Sequence, residues 1–312
     1  MTAESSSTRT PAVSVVIATY NRAGLVQETI DSVLKQTFQD FELLIVDDGS
    51  TDDTEEVLKS YGGRLRYLRQ ENRGASAARN LGVRHARASW ISIQDSDDIC
   101  APNHLETLWN AVQKRPGVGM VFANGAYLDD LAPKGKTIIP RKISQRLAEK
   151  GVTLSDLFAT SIVRLQAALL SKQALLEIGG LDEDLRICMD LDLAFRLFQR
   201  FPIGYLDQVV FFYRRHEGNI GHDQQLRLLE NIRVIEKLIQ EFPPAAEILG
   251  WRRINQRKAY RYYRLAKTRW QNGENEWGNT AIAQAIALRP YFLKYRVYQL
   301  MQRFLNEGQF TI

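Results

Sequence analysis

The sequence is poor in the residues that build disulfide frameworks and histidine-rich metal centres. Its 312 residues include two cysteines, Cys100 and Cys188, and four histidines. No CxxC spacing occurs, so the sequence predicts neither a zinc site nor a dithiol redox motif. A metal site built from three histidines is not expected either. This cysteine usage fits a reducing, cytoplasmic environment.

Long hydrophobic runs are also absent. No run approaches the roughly 18 apolar residues that a membrane span needs, and residues 1–11 lack the apolar segment of a signal peptide. We therefore predict a disordered tail over 1–11 and a cytoplasmic protein. The net charge of +5 suits anionic substrates or a membrane surface, but it is too small to indicate nucleic-acid binding.

Two nucleotide-binding motifs are missing. The loop after the first predicted strand reads Ala18-Thr-Tyr-Asn-Arg-Ala-Gly24, without GxGxxG, and GxxxxGK[ST] occurs nowhere. Both motifs place backbone N–H groups against phosphates at the start of a helix. Their absence argues against dinucleotide-dependent oxidoreductases and against P-loop kinases or ATPases.

The chain does contain a regular alternation of short apolar runs and helical patterns. Predicted strands lie at 13–17, 41–46, 64–68, 90–94, 119–122 and 209–216, with helices between them. This alternation predicts an α/β fold with a mostly parallel sheet and helices on both faces. We expect a long loop, typical of an active-site lid, over 129–150 and helical structure over 153–178. After about Asp223 only helical patterns follow, so we divide the chain into an α/β domain (12–222) and a helical region (223–312).

The most informative stretch is the acidic run that follows the fourth predicted strand. Asp95, Asp97 and Asp98 come directly after Trp90–Gln94. Carboxylates this close raise one another's pKa unless a cation neutralises them, and oxygen ligands past a strand suit Mg²⁺ or Mn²⁺ bridging a diphosphate. The alternative is an acidic turn that caps the next helix.

Two polar groups at other strand ends are candidates for nucleotide contacts. Tyr20, after Thr19, can stack on a base, and Asp47 or Asp48 can accept a hydrogen bond from a base or a ribose. For each, ordinary turn chemistry is the alternative. Arg79, in a helix that opens at Gly74, can hold an anionic ligand or can belong to a solvated basic face.

Two further candidates lie later in the chain. Only one of Asp190 and Asp192 can face a given cleft, because residues two apart on a helix point in different directions. That residue can serve as a general base, or it can simply interact with the helix dipole. His216 can join an aspartate on a metal or can be a surface residue.

Seven segments, taken in their order along the chain, resemble those of a family 2 glycosyltransferase. They are Val13–Arg22, Ile45–Asp52, Asn72–Asn80, Gln94–Asp98, Gly179–Glu183, Met189–Leu193 and Tyr213–Asn219. The resemblance covers roughly 12–222. It implies the GT-A nucleotide-diphospho-sugar transferase fold, with residues 223–312 as a C-terminal helical appendage.

The resemblance also implies roles for particular residues. Nucleotide contacts fall on Thr19, Tyr20, Asp47, Asp48, Arg79, Asp95 and Ser96, metal ligands on Asp95, Asp97, Asp98 and His216, and the catalytic base on Asp190. One departure from the family pattern is Met189, which stands where the family often has Glu. Another is Gln94, which replaces a usual apolar residue.

The activity implied is metal-dependent, inverting transfer of a sugar to an acceptor hydroxyl, with Mn²⁺ or Mg²⁺ as cofactor. The donor is a nucleotide-diphosphate sugar, with UDP favoured over GDP or TDP, and the acceptor is a glycan or a lipid-linked glycan in bacterial polysaccharide or cell-surface glycan synthesis. A sugar-phosphate nucleotidyltransferase and a non-catalytic sugar-nucleotide-binding protein are the alternatives. The basic helices over 251–269 suit peripheral contact with the inner face of a membrane, or are an ordinary solvated face.

Overall fold

The computed structural model describes residues 9–129, 132–216 and 218–306. Its contacts divide the chain into two compact units, Met1–His216 and Glu217–Ile312. Most of the predicted N-terminal tail, residues 1–8, lies outside the described residues, as does Glu217.

Within the described residues, the first unit contains the strands and eight of the thirteen α-helices. The strands are β1 Val13–Thr19, β2 Phe41–Asp47, β3 Arg66–Arg69, β4 Trp90–Asp95, β5 Ile99–Cys100, β6 Met120–Asp129, β7 Ala132–Thr137, β8 Ala168–Ser171 and β9 Ile203–Arg214. The helices are α1 Ala23–Leu34, α2 Thr54–Lys59, α3 Ala75–His85, α4 His104–Gln113, α5 Arg141–Lys150, α6 Leu154–Ala159, α7 Lys172–Glu177 and α8 Met189–Phe198.

These strands form one sheet in the order β3-β2-β1-β4-β8-β6-β9-β5, with β7 paired to β6. The half from β3 to β4 is parallel, as the alternating pattern predicted. In the other half β8 and β5 run antiparallel to their neighbours, and β6 pairs parallel with β9. The β-branched run of β1 is buried along nearly its whole length because helices cover the sheet.

The parallel register brings the predicted polar residues to one edge of the sheet. Thr19 pairs with Asp47 of β2, and Ala18 pairs with Asp95 of β4. Residues after these pairs therefore leave the sheet side by side at the carboxyl ends of β1, β2 and β4. Ligands of open α/β sheets bind at such an edge.

Two segments differ from the prediction. The expected loop over 129–150 contains β7 and α5, and α5 buries Ser144 and Leu147 on one face. Its helical pattern is hard to detect because most of its residues are charged or polar. The expected helical segment over 153–178 contains β8 between α6 and α7. The four residues of β8 are too few to show a strand period.

The second unit is helical, as predicted. Its helices are α9 Gln224–Glu241, α10 Pro244–Leu249, α11 Trp251–Gln271, α12 Asn275–Leu288 and α13 Leu293–Asn306. The helix predicted over 245–271 is broken at Gly250, whose φ of +77° is incompatible with a continuous helix. Among the described residues, no helix is both long enough and apolar enough to cross a membrane.

Candidate active site

The carboxylates of Asp95, Asp97 and Asp98 converge after β4. One oxygen of each lies within 4.8 Å of the others. They come together because β4 ends at Asp95 and the chain turns immediately, with the Asp98 N–H donating to the Asp95 carbonyl at 3.4 Å. The predicted acidic cluster is therefore a compact group of oxygen donors rather than three solvated side chains.

Asp98 is the most buried member of this cluster. It is 1% exposed, and its Oδ1 accepts a hydrogen bond from the Arg214 N–H at 2.9 Å. Its Oδ2 is buried and has no hydrogen-bond partner among the described residues. Burial, followed by the charges of Asp95 and Asp97, raises the pKa of Asp98 well above its usual range. An orphaned carboxylate oxygen of this kind is costly unless a cation binds it.

Asp97 lies between His216 and Arg22. Its Oδ2 is 2.9 Å from His216 Nε2 and 4.0 Å from Arg22 Nη2. Burial and then the charge of Asp95 raise the pKa of Asp97, against the lowering effect of His216 and Arg22. The structure thus brings His216, which is distant in sequence, to the acidic cluster. In this position His216 can ligate a metal or orient the ligand Asp97.

Asp95 is held from both sides. Arg79, in α3, donates to its Oδ1, and the Gln166 amide donates to its Oδ2. The Arg79 guanidinium is largely buried, and its pKa is raised because the attraction of Asp95 and Asp190 outweighs the cost of burial. Arg79 Nη1 lies 2.7 Å from the Met189 sulfur, a weak acceptor, and Nε has no partner within the described residues.

Gln166 and Arg164 were not predicted from the sequence. They flank Leu165, at the start of a short 3-10 turn, Leu165–Ala167. No motif marks this turn, and only the packing of β8 beside β4 brings it to Asp95.

A network of buried polar side chains supports this turn from the protein interior. The Gln94 amide donates to the Gln166 carbonyl at 3.1 Å, and His104 Nε2 is 3.1 Å from both Gln94 Nε2 and Ser92 Oγ. His104 Nδ1 lies 3.1 Å from the Val210 carbonyl, which fixes Nδ1 as the protonated nitrogen. Gln94, which departs from the family pattern, therefore has hydrogen-bond partners in the core for its amide nitrogen.

Asp190 lies in the first turn of α8 and is half-buried. Its Oδ2 faces the Leu165 N–H at 3.4 Å. Burial raises the pKa of Asp190, while Arg164 and then Arg79 lower it. Arg164 is exposed, and its side chain makes no hydrogen bond or ion pair within the described part of the chain. One short turn therefore touches both the acidic cluster, through Gln166, and Asp190, through Leu165.

Asp192 faces away from this site. It is 2% exposed, and its carboxylate bonds Arg196 at 2.8 Å (Nε) and 2.6 Å (Nη2). Arg196 also donates to the carbonyls of Ile178 and Gly180 at 2.8 and 2.7 Å. Of the two aspartates on α8, Asp190 is thus the one turned toward the turn Leu165–Ala167 beside the acidic cluster.

The turn Gly179–Glu183 fixes α8 against α3. Asn80 donates to the Leu181 carbonyl at 2.9 Å and to Glu183 at 3.0 Å, and accepts from the Leu181 N–H at 2.9 Å. Gly180 has φ of +74°, and a Cβ there would lie 2.6 Å from Asn80 Oδ1. Gly180 of this motif is therefore needed for close approach to α3, whereas a Cβ at Gly179 would meet no atom within 4 Å.

The two aspartates at the end of β2 accept hydrogen bonds from other residues of the chain. Asp47 is fully buried, accepting from the Ser50 N–H at 2.8 Å and the Tyr67 hydroxyl at 3.0 Å. These hydrogen bonds give Asp47 a structural role within the protein, and its predicted nucleotide contact stays a prediction. Asp48 accepts from the N–H groups of Arg73 and Gly74 at 2.9 and 2.8 Å. It thereby shapes the loop before α3.

A cleft of about 560 Å³ opens beside this loop. Its lining residues are Gly49, Arg69, Gln70, Glu71 and Asn72. At the end of β1, Tyr20 is 45% exposed, and the buried Thr19 hydroxyl has no partner among the described residues. Ser96 is buried between Asp95 and Asp97. The predicted nucleotide contacts therefore remain predictions.

The donor set fits a hard divalent cation. Three carboxylates offer oxygens within 4.8 Å of one another, and one oxygen is buried without a partner. Mg²⁺ and Mn²⁺ prefer oxygen ligands of this kind, whereas zinc and copper sites are richer in nitrogen and sulfur.

Comparison with solved structures identifies the class of fold. Residues 1–349 of TarS from S. aureus superpose with a TM-score of 0.66 at 18% identity, covering 96% of this chain and 93% of that chain. Mannosyltransferase PcManGT from Pyrobaculum calidifontis, solved with GDP-Man and Mn²⁺, gives 0.60 at 24% identity, covering 96% and 86%. TarS has also been solved with UDP and with UDP-GlcNAc. These likenesses confirm the GT-A glycosyltransferase fold.

Sequence comparison then gives the family. The model of glycosyl transferase family 2 matches residues 14–179, and the chain belongs to this family. An uncharacterized glycosyltransferase of Rickettsia prowazekii is 32% identical over 208 residues, 66% of this chain and 64% of that protein. GlyG of Streptococcus pneumoniae is 42% identical over 107 residues, 33% of this chain and 36% of that protein. The chain thus spans less than two thirds of the length of these relatives.

Proposed function

We propose that this protein transfers a sugar from a nucleotide-diphosphate sugar to an acceptor hydroxyl. The observation that carries the proposal is the orphaned Oδ2 of Asp98 inside the cluster of three carboxylates. This cluster lies at the sheet edge where α/β folds bind nucleotides. Membership in glycosyltransferase family 2 supplies the reaction class, and the nucleotide-sugar complexes of TarS and PcManGT support the donor class.

The cation is proposed to bind at Asp95, Asp97 and Asp98, with His216 as a further ligand or as a partner that orients Asp97. A bound Mn²⁺ or Mg²⁺ supplies Lewis-acid stabilisation of the diphosphate leaving group. Arg79 and Gln166 hold the Asp95 carboxylate in place from both sides. Held in this way, Asp95 stays beside Asp97 and Asp98, with one oxygen of each within 4.8 Å of the others, which is the preorganisation that a transfer site needs.

Asp190 is proposed as the general base. Burial raises the pKa of its carboxylate, and a higher pKa makes the carboxylate a better proton acceptor near neutral pH. It takes the proton of the acceptor hydroxyl as the oxygen attacks the anomeric carbon. The reaction is a single displacement with inversion, so no enzyme nucleophile is required. Arg164, exposed beside Asp190, adds positive charge on the acceptor side.

The donor and the acceptor are also part of the proposal. A UDP-sugar is favoured, with GDP- and TDP-sugars as the other candidates, and Asp48, Tyr20 and Thr19 are proposed to contact the nucleoside. The acceptor is proposed to be a glycan or lipid-linked glycan in the synthesis of a bacterial polysaccharide or cell-surface glycan.

A nucleotide-binding panel tests the metal site. Thermal unfolding is followed with UDP, GDP or TDP, each with and without Mn²⁺, for the wild type and for Asp97→Asn. We expect one nucleotide to raise the melting temperature of the wild type only when Mn²⁺ is present, because a ligand at 100 times its Kd stabilises by about 2.7 kcal/mol. Asp97→Asn removes a ligand charge and should abolish this shift.

The matched control is Glu149→Gln, which removes an acidic charge from an exposed position of α5. It should keep the full Mn²⁺-dependent shift. An equal shift in Asp97→Asn and in the wild type would contradict the proposed metal site. Release of pyrophosphate from a nucleoside triphosphate and a sugar phosphate would instead identify a nucleotidyltransferase.

A further inference from the structure

The last described helix, α13, has an apolar stripe on its outer face. Leu293, Val297, Leu300 and Met301 are between 52% and 72% exposed. Their spacing of four, three and one residues places all four on one side of a helix with 3.6 residues per turn. A single exposed Leu needs no explanation, but four in one stripe form a contiguous apolar patch.

This stripe is not the face by which α13 packs in its own unit. Tyr295 is 2% exposed, and its ring stacks on that of Tyr263, in α11, with centroids 5.1 Å apart. The Tyr298 ring meets Tyr263 edge-on at 5.3 Å. The helix therefore has two apolar faces, of which the tyrosine face builds the core of the unit and the other faces outward.

Positive charge borders the stripe on both sides. Lys294 follows Leu293, and Arg296 precedes Val297, so helical geometry puts one base on each flank. Both are exposed. Between residues 289 and 306 the sequence has four basic residues and no acidic one. The stripe is thus framed by cations along the helix.

The neighbouring surface of α11 is positive as well. Arg264 lies 3.5 Å from the Tyr260 hydroxyl, and this contact, followed by the charges of Arg264, Arg261 and Lys294, lowers the pKa of Tyr260. Two of the bases earlier in α11, which the sequence suggested as a membrane contact, are less available. Lys258 forms an ion pair with Glu236 at 2.5 Å, and Arg257 is half-buried with its guanidinium nitrogens enclosed.

We propose that the outer face of α13 docks on a lipid bilayer with anionic headgroups. Apolar side chains at the centre of the stripe enter the boundary between headgroups and acyl chains, while Lys294 and Arg296 extend to the phosphates. An acidic protein surface or a nucleic acid matches the bases but offers less to the apolar stripe. A lipid surface with anionic headgroups complements both features at once.

Vesicle flotation with the full chain tests this proposal. Binding is compared on vesicles of phosphatidylglycerol with phosphatidylcholine and on vesicles of phosphatidylcholine alone. We expect wild-type protein to bind the anionic vesicles, and binding to weaken as salt is added because screening reduces the attraction. The combined variant L293Q/V297Q/L300Q/M301Q should lose at least tenfold in apparent affinity. Lys294→Gln combined with Arg296→Gln should lose the preference for anionic vesicles.

Leu176→Gln is the matched control, because Leu176 is 52% exposed on α7 in the other unit. It should bind vesicles as the wild type does. Circular dichroism verifies that each variant is folded. The proposal is overturned if the wild type does not bind anionic vesicles or if the stripe variant binds equally well. It is also overturned if the stripe only mediates dimerisation, seen as a wild-type dimer that the stripe variant makes monomeric without loss of vesicle binding.

Discussion

Arg79 is the residue on which the charge balance of the site depends. Its guanidinium is largely buried and lies among Asp95, Asp97 and Asp190, whose attraction raises its pKa despite the cost of burial. Only Asp95 is a strong acceptor, because the neighbour on Nη1 is the sulfur of Met189. Because only one carboxylate, that of Asp95, pairs with the Arg79 guanidinium, its positive charge also acts on the space between the acidic cluster and Asp190.

Asp190→Asn separates proton transfer from binding. The amide keeps nearly the same shape but cannot take a proton, and general-base catalysis typically contributes about 10²–10⁴ in rate. We expect turnover with a nucleotide-sugar and acceptor to fall by about that factor while Mn²⁺-dependent nucleotide affinity changes less than threefold. Steady-state kinetics and calorimetric titration measure the two quantities.

Asp192→Asn is the comparison for this variant, because Asp192 lies on the same helix but pairs with Arg196 in the interior. It should lower the stability of the fold more than Asp190→Asn does. Normal turnover in Asp190→Asn would show that another group accepts the proton.

At the scale of elements, two short segments position the site. The turn Leu165–Ala167 touches Asp95 through the Gln166 side chain and Asp190 through the Leu165 N–H. The turn Gly179–Glu183 fastens α8 to α3 through Asn80. Neither segment is long or strongly patterned, yet together they set the position of the proposed base relative to the acidic cluster.

Gly180→Ala tests the second segment, and its neighbour provides the control. Both Gly179 and Gly180 have positive φ, so alanine costs about 1 kcal/mol at each. At Gly180 the new Cβ also meets Asn80 Oδ1 at 2.6 Å, whereas at Gly179 nothing lies within 4 Å. We expect Gly180→Ala to lower the free energy of unfolding by roughly 1–3 kcal/mol more than Gly179→Ala does.

Chemical denaturation measures this difference between the single variants Gly179→Ala and Gly180→Ala. The same two substitutions are then compared in an Asn80→Ala background. In an Asn80→Ala background the clash is gone, so the two glycine substitutions should cost nearly the same. If Gly180→Ala remains the more harmful substitution in that background, the close approach to Asn80 is not the cause.

At the scale of the whole molecule, folding disfavours protonation of a histidine in the core. His104 is fully buried, and burial lowers its pKa from 6.5 to about 4. Between these values the unfolded chain binds a proton that the folded chain does not, so the free energy of unfolding rises with pH across this window. The full contribution is about 3 kcal/mol, present at neutral pH and lost as the pH falls toward 4.

His104→Gln should remove this pH dependence. The substitution has a cost of its own, but glutamine does not titrate, so the free energy of unfolding should fall less steeply between pH 7 and pH 4.5 than in the wild type. Acidic groups with raised pKa contribute the opposite slope, and they cancel when the two proteins are compared. His85→Gln, at an exposed position, should leave the wild-type slope unchanged. Parallel slopes for wild type and His104→Gln would refute the assignment.

The local sequence pattern was sufficient to predict the elements whose apolar and polar residues match their buried and exposed positions. The β-branched run of β1, the apolar run of β4 and the boundaries of α9 follow from periodicity. It was insufficient for α5, whose surface is polar nearly all round, and for β8, which has four residues. Short or mostly polar elements carry too few apolar positions to display a period, so packing against neighbours decides them.

For the site, the sequence by itself determined which chemistry is possible, because three aspartates within four residues form a local cluster in any fold that turns after β4. Only the tertiary structure decided which groups join that cluster. Residues separated by about 70 to 120 positions, such as Gln166 and His216, meet it through strand pairing and hydrogen bonds. Burial also distinguishes neighbours of identical type, because Asp192 is enclosed with Arg196 whereas Asp190 is half-buried and faces the Leu165 N–H. Hydrogen bonding and desolvation depend on what surrounds a side chain, and those surroundings come from distant parts of the chain.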